Sequence, residues 1–109
     1  MLALFPESAR IEHGRLVLGG IPGAALAEQF GTPLVVYCEE TLQARAHAYR
    51  AAAAGGDVLY SVKAFPNVEI VRVLADAGLG TEVSTLGELE FARRAGIEGD
   101  RIVFDGNNK

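Results

Sequence analysis

Lys63 closes an apolar run, Asp57-Val58-Leu59-Tyr60-Ser61-Val62-Lys63, whose β-branched and aromatic content predicts a buried parallel strand over 58–62. A lysine in that place has two readings. Its ammonium can snorkel from the strand end to water. Held instead in apolar surroundings, an amine loses charge stabilisation, its pKa falls, and it becomes the group that forms Schiff bases. The composition bears on the choice. The chain has eight arginines and two lysines, Lys63 and Lys109. Surface positive charge is therefore arginine's work here, and a strand-end lysine is not routine filler. Glu82 lies near the end of a second expected strand, 80–83. Alone it reads as a surface carboxylate. If its strand adjoins that of Lys63, amine and carboxylate face one cavity, as a functional pair or as a structural ion pair.

Other candidates carry less. His13 sits beside a turn and reads as a solvated loop residue. His47 has Ala51 at i+4 rather than a second ligand, so no metal site is expected. Gly78-x-Gly80 follows a helix and precedes a strand, the reverse of a phosphate-cradling loop, and reads as a helix stop. Thr85-Leu86-Gly87-Glu88 matches a helix capping box. No G-x-S-x-G elbow surrounds any serine, which leaves serine hydrolase chemistry without support.

The elements that must hold Lys63 and Glu82 follow from pattern. Residues 10–20 read as a short hairpin around His13-Gly14, ended by Gly19-Gly20. Residues 23–30 have helical apolar spacing, stopped by Gly31 and Pro33. Leu34–Cys38 reads as a strand, and Thr41 as the cap of a helix running to Gly55-Gly56. From Asp57 onward strands alternate with helices: strand 58–62, helix 67–77, strand 80–83, helix 86–95, and a strand from Ile102. Both helix ends carry an alanine-glycine joint, Ala77-Gly78 and Ala95-Gly96, suited to a left-handed cap. Such alternation predicts parallel βαβ units. An open doubly wound sheet and a (β/α)8 barrel both use them, and both gather function at the C-terminal strand ends. If Lys63 points inward on its strand, Leu59 and Ser61 point with it, while Val58, Tyr60 and Val62 face the covering helix. Three such units cannot close an eight-stranded barrel, so the chain is expected to be the front portion of a larger protein.

Composition bounds the function classes. The chain has 109 residues, half of them hydrophobic, and a net charge of −4. That charge gives no electrostatic footprint for nucleic acid. Cys38 is the only cysteine, so no intrachain disulfide can form, in keeping with a reducing compartment. Met1–Glu7 lacks the basic start and apolar length of a signal peptide. No segment approaches transmembrane length. The cytoplasm is the expected location, with no membrane partner.

The residues then carry a resemblance. Tyr60-Ser61-Val62-Lys63-Ala64, followed by Pro66-Asn67, resembles the cofactor-lysine motif of the fold-type III pyridoxal-phosphate decarboxylases, diaminopimelate decarboxylases above all. That motif runs tyrosine, small residue, any residue, lysine, alanine, asparagine, and often proline-asparagine. Glu82-Val83-Ser84-Thr85-Leu86-Gly87-Glu88-Leu89 resembles the family's Asp-Val-x-Ser-Gly-Gly-Glu-Leu. Gly106-Asn107-Asn108-Lys109 matches its Gly-Asn-Asn-Lys, and Gly31-Thr32-Pro33-Leu34-Val35-Val36-Tyr37 its GTPLYVY segment. The departures are Phe65 for the asparagine, Glu82 for the aspartate, Leu86 for a glycine, and Asp105 for the histidine that often precedes Gly-Asn-Asn-Lys.

The resemblance spans nearly the whole chain and implies about the first quarter of such an enzyme. The implied fold is α/β, the front of an alanine racemase-like, pyridoxal-phosphate-binding (β/α)8 barrel. Residues 1–33 would contribute to a second, β-rich domain and 34–109 would form the first barrel units. Lys63 would hold pyridoxal 5'-phosphate as a Schiff base, and Glu82 would help position the lysine or the cofactor. The implied reaction is decarboxylation of meso-diaminopimelate to lysine, in a homodimer, with no metal. The phosphate-binding and most substrate-binding residues are expected later in the complete chain. A sister decarboxylase of ornithine, arginine or carboxynorspermidine, or a non-catalytic pyridoxal-phosphate-binding relative, would carry the same motifs.

Overall fold

A computed structural model describes residues 4–107. The expectations that involve Met1, Leu2, Ala3, Asn108 and Lys109 lie outside the described residues. The chain forms two compact units, Met1–Leu42 and Gln43–Lys109.

In the first unit, β1 (Arg10–Glu12), β2 (Arg15–Leu18) and β3 (Ile21–Pro22) form an antiparallel sheet in chain order. The β1–β2 turn is His13-Gly14, both with positive φ. That is the primed turn whose twist matches paired strands. Gly19-Gly20 ends the hairpin as expected, directly after Leu18. It turns the chain into β3, pairing Leu18 with Ile21. Helix α1, Gly23–Phe30, follows and stops at Gly31. The expected strand Leu34–Cys38 has no ladder among the described residues. An extended segment becomes a strand only through a neighbour's hydrogen bonds, and Val35 here is 79% exposed. Thr41 is not a cap either. Helix α2 (Glu39–Ala52) already begins at Glu39, with the Leu42 N–H donating to the Cys38 carbonyl.

The second unit is a parallel sheet, β4 (Leu59–Ser61), β5 (Gly80–Val83) and β6 (Ile102–Phe104), in that order. Helices α3 (Val68–Asp76) and α4 (Leu86–Arg94) pack on each other and on β5. Alternation along the strands divides the sheet. Val62, Thr81 and Val83 are at most 1% exposed, and Val62 and Val83 join Val71, Ala75, Ala92 and Ile97 in one core. Each fully buried valine stabilises the fold by about 1.5–3 kcal/mol. The other face carries Leu59 and Val103, which stay 38% and 46% exposed.

Each helix starts and stops for local reasons. The Asn67 side chain accepts from the Ile70 N–H and caps α3, so the expected helix 67–77 begins one residue later. At its end the Gly78 N–H reaches the Ala75 carbonyl and the Leu79 N–H that of Leu74. This paired closure puts Gly78 at φ 93°, a conformation that disfavours any side chain. The same pair recurs after α4, from Gly96 to Arg93 and from Ile97 to Ala92. Arg101 then donates to the carbonyls of Ala75 and Leu79, and Arg50 to that of Ala77. Both place positive charge where a helix C-terminus favours it.

Among the described residues β4 and β6 are each paired on one side only. Unpaired edges and a half-exposed apolar face template association. The 109-residue chain by itself is therefore expected to self-associate or to melt without cooperativity. Sedimentation and thermal denaturation across a concentration series check this. A monomer with a sharp melt independent of concentration would contradict it.

Candidate active site

The site is built at the C-terminal ends of β4 and β5. Strand β4 stops at Ser61, one residue earlier than expected, and Val62–Ala64 form a 3-10 turn. Val62 plugs that turn into the core with no exposed surface. Lys63 is thereby carried past the sheet and is exposed. Of the two readings of a strand-end lysine, its exposure fits the amine that reaches water, because the turn ends the strand alternation at Ser61. The Tyr60 hydroxyl donates to the Phe65 carbonyl at 3.1 Å, and Asn67 caps α3 just beyond. The loop bearing Lys63 is tied at both ends.

Glu82 lies directly across from Ser61 in the parallel register. Its neighbours Thr81 and Val83 are buried, so Glu82 belongs to the face away from the helices. The Ser61 hydroxyl donates to Glu82 Oε2, and the Ser84 hydroxyl donates to Oε1 at 2.9 Å. These contacts hold the Glu82 carboxyl below the usual carboxylate range. The Ser61 hydrogen bond is foremost, followed by that from Ser84 and by the positive charge of Lys63, while partial burial acts in the opposite sense. The structure thus brings the two sequence candidates, Lys63 and Glu82, to one end of adjacent strands.

Ser84 is fixed in turn by the start of α4. Thr85 Oγ1 accepts from the Glu88 N–H, and Glu88 Oε2 accepts from the Ser84 N–H at 2.6 Å. The expected capping box is present, with Glu88 reaching one residue further back than usual. On the next strand end, a Cβ on Gly106 would stand 2.4 Å from the Ser84 carbonyl oxygen. Only a residue without a side chain lets the loop after β6 cross there. Neither Ser61 nor Ser84 lies in a catalytic serine motif. Alternation and register, which put both on the Glu82 face, are the signals that could have found them.

The donor set suits a carbonyl-bearing cofactor. An accessible primary amine can condense with an aldehyde, and the ionised carboxylate at the end of the adjoining strand supplies an opposite charge that acts on it. A cleft of about 500 Å³ opens at the other end of the strands, lined by Arg50, Asp57, Leu59, Gly80 and Arg101. Its two arginines are engaged with the carbonyls of Ala75, Ala77 and Leu79, and neither sequence candidate lines it.

The depressed pKa of Glu82 has a signed consequence. A carboxyl held ionised by the fold contributes stability in full above its unfolded pKa and loses it as pH falls through the lower folded value. In the full-length protein, Glu82→Gln is expected to flatten part of the acid limb of stability below the usual carboxylate range. Urea unfolding at a series of pH values measures it, and an acid limb identical in the variant would contradict it.

Comparison with known proteins agrees with this geometry. Residues 39–109 match the family described as "Pyridoxal-dependent decarboxylase, pyridoxal binding domain". The diaminopimelate decarboxylase of Actinosynnema pretiosum subsp. auranticum is 43% identical over 97% of this chain and 24% of its own length. The crystal structure of AQ1208 from Aquifex aeolicus superposes with a TM-score of 0.87 at 37% identity, over 94% of this chain and 26% of that one. The diaminopimelate decarboxylase of M. jannaschii in complex with L-lysine does so with a TM-score of 0.79 at 33% identity, over 93% and 25%. The chain spans about a quarter of the length of the curated relatives it matches. With an α/β fold, a parallel sheet and a lysine at the end of its first parallel strand, the chain belongs to the pyridoxal-dependent decarboxylases, in their pyridoxal-binding domain.

Proposed function

We propose that the complete protein decarboxylates meso-diaminopimelate to lysine, with pyridoxal phosphate anchored on Lys63. The observation that carries this reading is Lys63, exposed on a tied turn one strand from an ionised Glu82, in a chain of this family. The substrate follows from the diaminopimelate decarboxylases among its relatives and from the L-lysine bound by the M. jannaschii protein.

When bound, pyridoxal phosphate supplies the electron sink for the pair left as a Cα–carboxylate bond breaks. The chain's own residues do the holding. Lys63 Nζ would hold the cofactor covalently through its aldehyde carbon. Val62, locked in the core, fixes the turn from which Lys63 projects, so the amine returns to the same place. Glu82 keeps a negative charge beside Nζ and orients it. The reading extends to the whole enzyme: residues 1–33 serve a second β-rich domain, 34–109 begin a (β/α)8 barrel, and the protein acts as a cytoplasmic homodimer. In the described residues no helix is long and apolar enough to cross a membrane.

The test is borohydride reduction of the full-length protein, digestion and mapping of the adduct by mass spectrometry. The pyridoxyl group is expected on Lys63. Lys63→Ala should lower decarboxylation by orders of magnitude, and Lys63→Arg should do no better, because a guanidinium stays protonated and forms no imine. An adduct on another lysine, with Lys63 unmodified, would overturn the assignment.

A further inference from the structure

The geometry points to Ser61 and Ser84 as a two-hydroxyl clamp that positions the Glu82 carboxylate for its work beside Lys63. The inference rests on the role proposed above for Glu82 and deepens it. Glu82 stands where the resembling pattern has aspartate, so its carboxylate rides on one more methylene. The extra rotatable bond adds rotamer freedom that must be removed before the group can hold one place. Two hydroxyls do this, one on each oxygen. Ser61 donates to Oε2 from the adjoining strand, at the register position opposite Glu82. Ser84 donates to Oε1 from two residues along the same chain, hence from the same face.

Neither serine is dictated by the motif, which asks only for a small residue at 61 and leaves 84 open. Their joint use here matches the longer acid. The clamp is itself anchored. Ser61 sits between the buried Val62 and the half-buried Tyr60. Ser84 is held through its N–H by Glu88 and is crowded at its carbonyl by Gly106. The first turn of α4 therefore sets Ser84, and Ser84 sets Glu82. Both serines are neutral donors, so they fix the carboxylate without neutralising it. Its charge remains available to Lys63. They are positioning residues, since they touch the carboxylate and act on Lys63 only through it.

The experiment is a mutant cycle read by cofactor affinity. Full-length apo-protein is titrated with pyridoxal phosphate, followed by imine absorbance, for the wild type, S61A, S84A, S61A/S84A, E82Q and S61A/S84A/E82Q. Hydrogen bonds to a charged group are strong enough that losing both should weaken Kd by at least about tenfold. Glu82→Gln should weaken it comparably. In the E82Q background, removing the serines should then change Kd by less than about twofold, because they act through Glu82. Ser84→Thr, which keeps the hydroxyl, should bind as the wild type does. A serine effect that persists at full size in the E82Q background would overturn the clamp. So would serine variants with unchanged Kd beside a weakened E82Q, a pattern that leaves the role of Glu82 standing. An unchanged Kd in E82Q would instead reject the role of Glu82 itself, and the clamp with it.

Discussion

The parallel register of β4 on β5 is the constraint on which the site depends. Pairing Ser61 with Glu82 puts a hydroxyl opposite a carboxylate at the strand ends, one residue before the turn that carries Lys63. Alternation does the rest, because a strand has only two faces. Burying Thr81 and Val83 under the helices obliges Glu82 to take the other side. A slip of one residue would bury Glu82 among valines and turn Val83 toward Ser61. The core therefore specifies the polar face. The side chains that make the sheet stable also decide which groups can meet at its end.

The two ends of the second unit are treated differently. At the N-terminal strand ends, the last turn of α3 is closed by Gly78, and the carbonyls of Ala75, Ala77 and Leu79 accept from Arg50 and Arg101. The polar groups there serve one another. At the C-terminal strand ends, the helix starts are satisfied by Asn67, Thr85 and Glu88, which leaves Lys63 exposed on its turn. This division matches the rule that parallel α/β structures place stability at one end of the strands and chemistry at the other.

The alternation of strands and helices from Asp57 onward was legible because each signal is local. Valine-rich strands, Asn67 and Thr85 at helix starts, and the alanine-glycine joints are all written within a few residues of where they act. The placement of Lys63 and Glu82 at the ends of adjoining strands was legible from the same pattern. What was not legible depended on partners distant in sequence. Leu34–Cys38 has strand composition but no ladder among the described residues. Thr41 has capping chemistry, yet α2 starts at Glu39, two residues ahead of it. The exposure of Lys63 turned on where β4 stops, and that is set by Val62 finding its place in the core. The serine contacts with Glu82 needed the strand register, which single-strand patterns do not contain.

The central claim is that one turn and one strand end present an amine and an ionised carboxylate to the same cofactor. A crystal structure of the full-length protein with pyridoxal phosphate bound measures this most directly. It is expected to show continuous density from Lys63 Nζ to the cofactor, with the Glu82 carboxylate within about 4–6 Å of that nitrogen, the range over which opposite charges act strongly. Density joining the cofactor to another lysine, or a Glu82 carboxylate turned toward α3 and α4, would contradict it.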